Sequence, residues 1–241
     1  MNNITIVQRD DGDPLKDIER LLQEANRYQE AGQFRDAERL IVEARRLATG
    51  NLQACAEIDL FYARSLLEQN QREEGLQALS AMLIEYSEWF KNREGRHVYE
   101  LIQVQRAFSL VHLERNEEAR PILEEAASFH LDDEVQSNIH CHLGRCYHEL
   151  SLFTLARSQF ERSQALGVTE DWQPVFHYYY GYTLYELKDF RLAKREFIVC
   201  LQSGSSGPPP SMRYSMLAAV CRKLGEHDEA RLYDEMAQSP S

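Results

Sequence analysis

Nine residues near the middle of the chain, His140-Cys141-His142-Leu143-Gly144-Arg145-Cys146-Tyr147-His148, hold three histidines and two cysteines. Imidazole and thiolate are common zinc ligands, and a structural zinc site takes four of them. On a helix His142 and Cys146 stand four apart and share a face, so that pair alone has chelating geometry. Cys141 and His148 are two turns apart, roughly 10 Å by helical rise, too far for one ion. No CxxC or HExxH occurs elsewhere to complete a set. The expectation is therefore no metal, no cofactor, and cysteines that serve as small apolar residues in helix packing. A metal- or redox-responsive protein using Cys141, His142, Cys146 and His148 is the alternative.

Other reaction chemistry is missing from the sequence. It holds no GxxxxGK[ST], GxGxxG or GxSxG pattern. The acidic pairs Asp10-Asp11, Glu73-Glu74, Glu124-Glu125 and Asp132-Asp133 read as solvated faces or helix starts. The chain is expected not to be an enzyme, with no catalytic residues. Its net charge of −12 argues against nucleic acid, whose phosphates attract cationic proteins. No apolar run is long enough to span a bilayer, and the first residues lack the basic start and apolar core of a secretion signal. Five cysteines without disulfide spacing suit a reduced, cytoplasmic protein.

The elements that carry these residues emerge from an internal repeat. Small residues recur at Ala25, Ala63, Ala107, Gly144, Gly181 and Ala218, spaced 38, 44, 37, 37 and 37. Twelve residues after each stands another: Ala37, Gly75, Ala119, Ala156, Ala193 and Ala230. Three and sixteen residues after the first of each pair, large side chains dominate, such as Leu110, Tyr147, Leu184, Leu123, Phe160 and Phe197. Two antiparallel helices approach closely only where small side chains face each other, and larger neighbours then fill the gaps. The fold class expected is all-α, a series of antiparallel helix hairpins.

The spacing Gly144-x-x-Tyr147…Ala156-x-x-x-Phe160, and Gly181-x-x-Leu184…Ala193-x-x-x-Phe197 after it, resembles the tetratricopeptide repeat family. The resemblance implies that the hairpins stack as one right-handed superhelical solenoid over residues 14–238, six of them at about 14–50, 51–92, 97–131, 132–167, 172–203 and 211–238. Asp13-Pro14 reads as a helix start, the segment 91–96 as a break, residues 203–210 as a rigid linker, and 1–13 and 239–241 as loose ends. Asp234 stands where an aromatic residue belongs, which fits a terminal capping hairpin.

The resemblance also places function on the first helices of the hairpins, which in the family line a concave groove. The stripe expected to face it lies three before, one after and four after the first small residue. It gives Arg64, Phe108, Arg145, His148, Tyr178, Tyr182, Tyr185 and Arg222 as candidate peptide-binding residues. Tyr180 is expected to face the hairpin partner. The function implied is a non-catalytic adaptor or scaffold that binds a segment of a partner protein carrying apolar and acidic groups. Self-association of the module, as a homo-oligomer, is the alternative.

Overall fold

The computed structural model describes residues 13–203 and 207–238. The expected loose ends fall, Asp13 apart, outside the described residues, as does the middle of the 203–210 linker. Among the described residues there are twelve α-helices and no strand. They are α1 (Pro14–Glu30), α2 (Phe34–Leu47), α3 (Leu52–Glu68), α4 (Arg72–Glu85), α5 (Arg93–His112), α6 (Asn116–Ala126), α7 (Asp133–Glu149), α8 (Phe153–Leu166), α9 (Gln173–Glu186), α10 (Phe190–Gln202), α11 (Pro210–Leu224) and α12 (His227–Gln238). The chain forms two compact units divided between Ser109 and Leu110, within α5.

Local chemistry sets the helix ends. The Asp13 carboxylate accepts from the Leu15 amide at 3.2 Å and Pro14 takes the first helical position. Asn51 and Asp132 cap α3 and α7 in the same way, at 3.1 and 2.9 Å. Gly167, at φ 99°, ends α8. The break expected at 91–96 lies a few residues earlier, between the end of α4 at Glu85 and the start of α5 at Arg93. A 3-10 turn, Trp89–Lys91, runs almost directly into α5. Gly95 allows this, because a Cβ there would lie 2.4 Å from the Trp89 carbonyl oxygen. Trp89 and Phe90 then pack with Tyr86 and Tyr99 in one aromatic cluster.

All twelve small positions are buried. In the second unit the aromatic ring sixteen residues on lies directly over the glycine. Phe160 ring atoms sit 2.9–3.0 Å from where a Gly144 Cβ would be, and Phe197 ring atoms 3.1–3.2 Å from that of Gly181. In the first unit Leu67 occupies the space over Gly75.

Each hairpin turn is built alike. Seven residues after the first small position the backbone enters the left-handed region, at Gly32, Asn70, Glu114, Ser151, Lys188 and Gly225, with φ from 59° to 80°. The next amide reaches back five residues to a carbonyl, as in Leu152 to Tyr147 (2.7 Å) and Asp189 to Leu184 (2.8 Å). This paired closure satisfies the last carbonyls of the first helix. Only two of the six positions are glycine, so the other four side chains sit in a conformation that disfavours L-residues.

Polar residues also occupy repeat positions. Four before the first small residue and fifteen after it, the two helices of a hairpin exchange a contact. It is His140 with Gln159 (2.8 Å), His177 with Glu196 (2.7 Å) and a stacked Tyr214–Tyr233 pair. In the first unit Arg45 joins two hairpins. Its guanidinium donates to Asp59, Glu85, Tyr86 and the Cys55 sulfur, while Tyr86 donates to Asp59. In the second unit the buried Arg213 donates to the carbonyls of Pro208 (2.7 Å) and Cys200 (3.0 Å), tying the linker to the end of α10.

Two substitutions separate these effects. Gly144→Ala gains about 1 kcal/mol of helix propensity. It loses about 1–3 kcal/mol to overpacking against the enclosed Phe160 ring. The net expectation in chemical denaturation is a loss of about 1 kcal/mol, with Gly181→Ala nearer neutral because its ring stands farther off. Ser151→Gly relieves a left-handed turn and is expected to raise stability by about 0.5–1 kcal/mol. A destabilised Ser151→Gly protein would contradict the assignment of strain to that turn.

Candidate functional site

The histidine–cysteine stretch lies in α7, and its side chains diverge. His140 bonds to Gln159 across the hairpin. His142 is buried with its ring edge-on to Trp172, 4.6 Å between centroids, and 5.6 Å from His112. The Cys146 thiol donates to Asn116 at 3.4 Å. Burial pushes both the Cys141 and Cys146 thiols up to about 12, so neither is a thiolate at neutral pH. The one group among the described residues whose atoms converge closely enough for a metal is Cys221, Glu226 and Glu229. There the Lys194 ammonium already bonds to the two carboxylates at 2.8 and 2.7 Å.

The candidate binding residues are placed as follows. Arg64 is exposed and Phe108 half-buried, both in the first unit. In the second, Arg145 lies over the Tyr179 ring, 5.1 Å from its centroid. Tyr182 is half-buried with its ring 4.6 Å from that of His148, and half-buried Tyr185 packs on Phe190. Four expectations need correction. Tyr178 is 5% exposed and packs on Phe197, so it belongs to the core of its own hairpin. Tyr180 faces Phe160 and Phe176, toward the preceding hairpin instead of its own partner. His148 is 7% exposed and contributes no cation to a surface. Arg222 is exposed, yet it is bonded to Asp234 at 2.6 Å, so it already holds a carboxylate of its own chain where an acidic partner group was expected.

The cause is one of phase. Positions three before and four after the small residue are turned inward: Leu60, Val104, Cys141 and Tyr178 are buried at the first, Val111 and His148 at the second. The solvent-facing stripe is shifted by about one residue. It runs six before, two before, one after and five after the small position, the same heptad spacing, though on α7 the position two before is the buried His142. On α9 it holds Val175, Tyr179, Tyr182 and Glu186, and on α7 Arg145 and Glu149. The sequence-based stripe missed Tyr179 and a row of exposed glutamates. Glu30, Glu68, Glu149 and Glu186 share the position five after the small residue in four of six hairpins. That recurrence was the available signal. Arg145, Glu149, Tyr179, Glu114, Glu117 and Asn116 line a polar cleft of about 370 Å³.

Burial also fixes the protonation of His148. Thr183 spends its hydroxyl proton on the Tyr179 carbonyl (2.8 Å), so His148 Nδ1 is the donor in its 3.0 Å bond to Thr183. Burial holds the ring at about 4, against about 6.5 unfolded. The folded value is the lower, so the stability it carries is complete above about pH 6.5 and is lost as pH falls toward about 4. The difference is worth about 3 kcal/mol. The buried His142 ring is lowered by burial and adds to the loss in the same direction. Thermal melts between about pH 7 and about pH 4.5 should show the drop, and His148→Asn should flatten it. An unchanged profile in that variant would place the acid sensitivity elsewhere.

No family model and no curated protein matches the chain. Solved structures do. PilF of Pseudomonas aeruginosa superposes with a TM-score of 0.70 at 16% identity, over 91% of this chain and 90% of its own. PilW, described as a widely conserved type IV pilus biogenesis factor, gives 0.67 at 16% identity, covering 92% of each chain. A tetratricopeptide repeat protein from Parabacteroides merdae gives 0.64 at 14% identity, covering 94% of this chain and 82% of its own. At these identities the likeness establishes architecture, and the architecture of this chain is that of the tetratricopeptide repeat proteins.

Proposed function

We propose that the chain is a non-catalytic adaptor that holds a segment of a partner protein on the solvent face of its first helices. The observation that carries this is the strip on α7 and α9, where Arg145, Tyr179 and Tyr182 share a face with Glu149 and Glu186. Tyrosine supplies a large contact area with few rotatable bonds and a polar tip, which suits a binding surface. Exposed glutamates beside it favour a partner segment with apolar anchors and basic groups. This replaces the expected acidic partner, because His148 is neutral and Arg222 already has its carboxylate. A reducing compartment such as the cytoplasm suits five buried cysteines that form no disulfide. No described helix is long and apolar enough to cross a membrane.

Self-association is the second reading, favoured by Leu232 and Met236. They stand one turn apart on α12 and are 54% and 40% exposed. Light scattering of the purified chain separates a monomeric adaptor from a self-assembling module.

The adaptor reading is tested by recovering partners with the intact chain, identifying them by mass spectrometry and titrating the most abundant one. The pair Glu149→Lys and Glu186→Lys is expected to weaken that binding by about tenfold or more, and added salt to weaken the original binding modestly. Melting should barely move, since both carboxylates are exposed. Equal affinity of the variant would remove this face from the binding site.

A further inference from the structure

A different surface, in the first unit, lacks a latch that two junctions of the second unit carry. In the second unit the last two junctions between hairpins are latched by an ion pair between equivalent positions, whereas the junction before them has Arg120 and Leu152 there and carries none. The residue thirteen after one small position meets the residue eight after the next: Arg157 with Asp189 at 3.8 Å, and Lys194 with Glu226 at 2.8 Å. The corresponding residues of the first two hairpins are Glu38 and Gln71. They cannot form that bridge, and the sign at the first position is reversed.

The space beside them is open. Glu38 and Gln71 line a cleft of about 1020 Å³ between α2 and α4, floored by Tyr62 and Leu66 of α3 and edged by Phe34, which is 38% exposed. Its α4 wall is low. Ala78 stands where the other hairpins carry Leu40, Ile122, Gln159, Glu196 and Tyr233, and Ala81 where they carry Glu43, Glu125, Arg162, Val199 and Met236. Hairpin two alone has alanine at both. Two small residues three apart on one helix let another helix approach closely. Glu38 and Glu74 have no ion-pair partner among the described residues, Arg35 is the one cation lining the cleft, and the whole chain carries −12.

We infer that this cleft is a second docking site, which receives a short amphipathic helix of a partner protein. The helix inserts apolar side chains over Tyr62, Ala78 and Ala81. It brings a lysine or arginine to Glu38 and Glu74, supplying from outside the cation that Arg157 and Lys194 supply within the chain. The α4 wall from Gln71 to Ala81 measures roughly 15 Å by helical rise, enough for about three turns. This site is separate from the α7–α9 face.

The test uses the intact chain and a phage-displayed library of helical peptides about 14 residues long. Two variants close the cleft with residues that the fold carries at the same positions elsewhere. Glu38→Arg with Gln71→Asp rebuilds the latch, and Ala78→Leu with Ala81→Glu raises the wall. Circular dichroism checks that both stay helical. Selection is expected to enrich peptides with apolar residues at helical spacing and a flanking Lys or Arg. Each closing variant should bind them about tenfold more weakly or worse, while Glu149→Lys with Glu186→Lys binds them unchanged. Absence of enrichment, enrichment of acid-flanked peptides, or full binding by both closed variants would overturn the inference. So would a dimer of the original chain, seen by sedimentation, that dissociates in the latch variant, because the occupant would then be a second copy. Loss of binding at the α7–α9 face alone would leave this site standing, and the reverse holds equally.

Discussion

The hairpins depend on one steric condition: two helices must touch at a point where neither has a side chain larger than a methyl group. Every first and second small position is buried, and the surrounding side chains are placed by that contact. In the second unit a phenylalanine from the second helix lies flat over the glycine of the first, and the tyrosine that begins the next hairpin's layer packs on the same ring, as Tyr180 does on Phe160. Larger residues at the crossing would move the ring, and through it the next hairpin. Close packing transmits such a shift because the interior has little empty volume to absorb it.

Much of this was legible in the residues alone, because a crossing point restricts both partners to Ala or Gly and leaves a period that can be counted. The turn was less so. Asn70, Glu114, Ser151 and Lys188 enter the left-handed region without the glycine that would announce it. Their conformation is imposed by the two backbone hydrogen bonds that close the turn, and those depend on helix geometry instead of residue type. The solvent face was the least legible. A stripe three before, one after and four after the small position has the same heptad spacing as the one observed, so periodicity cannot choose between them. What chooses is tertiary packing, which buries Tyr178 on Phe197 and His148 against the next hairpin and leaves Tyr179 half-buried and Glu149 exposed. Tyr178 and Tyr180 exchanged roles for the same reason: a tyrosine can bury its ring in either direction along α9, and only the packed neighbours Phe197 and Phe160 decide which.

Polar chemistry inside the hairpins follows the frame without being uniform. The contact between the position four before and the position fifteen after is an imidazole–amide pair in one hairpin, an imidazole–carboxylate pair in the next and two stacked phenols in the last. The two imidazoles find a polar partner across the hairpin, while the phenols meet ring to ring. The frame fixes where such a pair sits; the side chains decide whether it responds to acid. Glu196 is nearly buried, and its carboxyl is held below the usual range: the bonds from His177 and Arg195 outweigh the desolvation that opposes them. Gln159 has no charge to lose.

The six left-handed turns act as a fixed ruler. Because the amide eight residues after the small position must reach the carbonyl three after it, the inside of a hairpin has no room for an added or deleted residue. The repeat lengths of 38 and 44 at the start of the chain, against 37 later, place all the extra residues between hairpins, where Trp89–Lys91 forms its own short turn. Evolutionary change in length, like the insertion of a tag or a further domain, is therefore channelled into the connections that follow α4 or α8. A single residue added after α1 or α7 would rotate the second helix out of register with its crossing point.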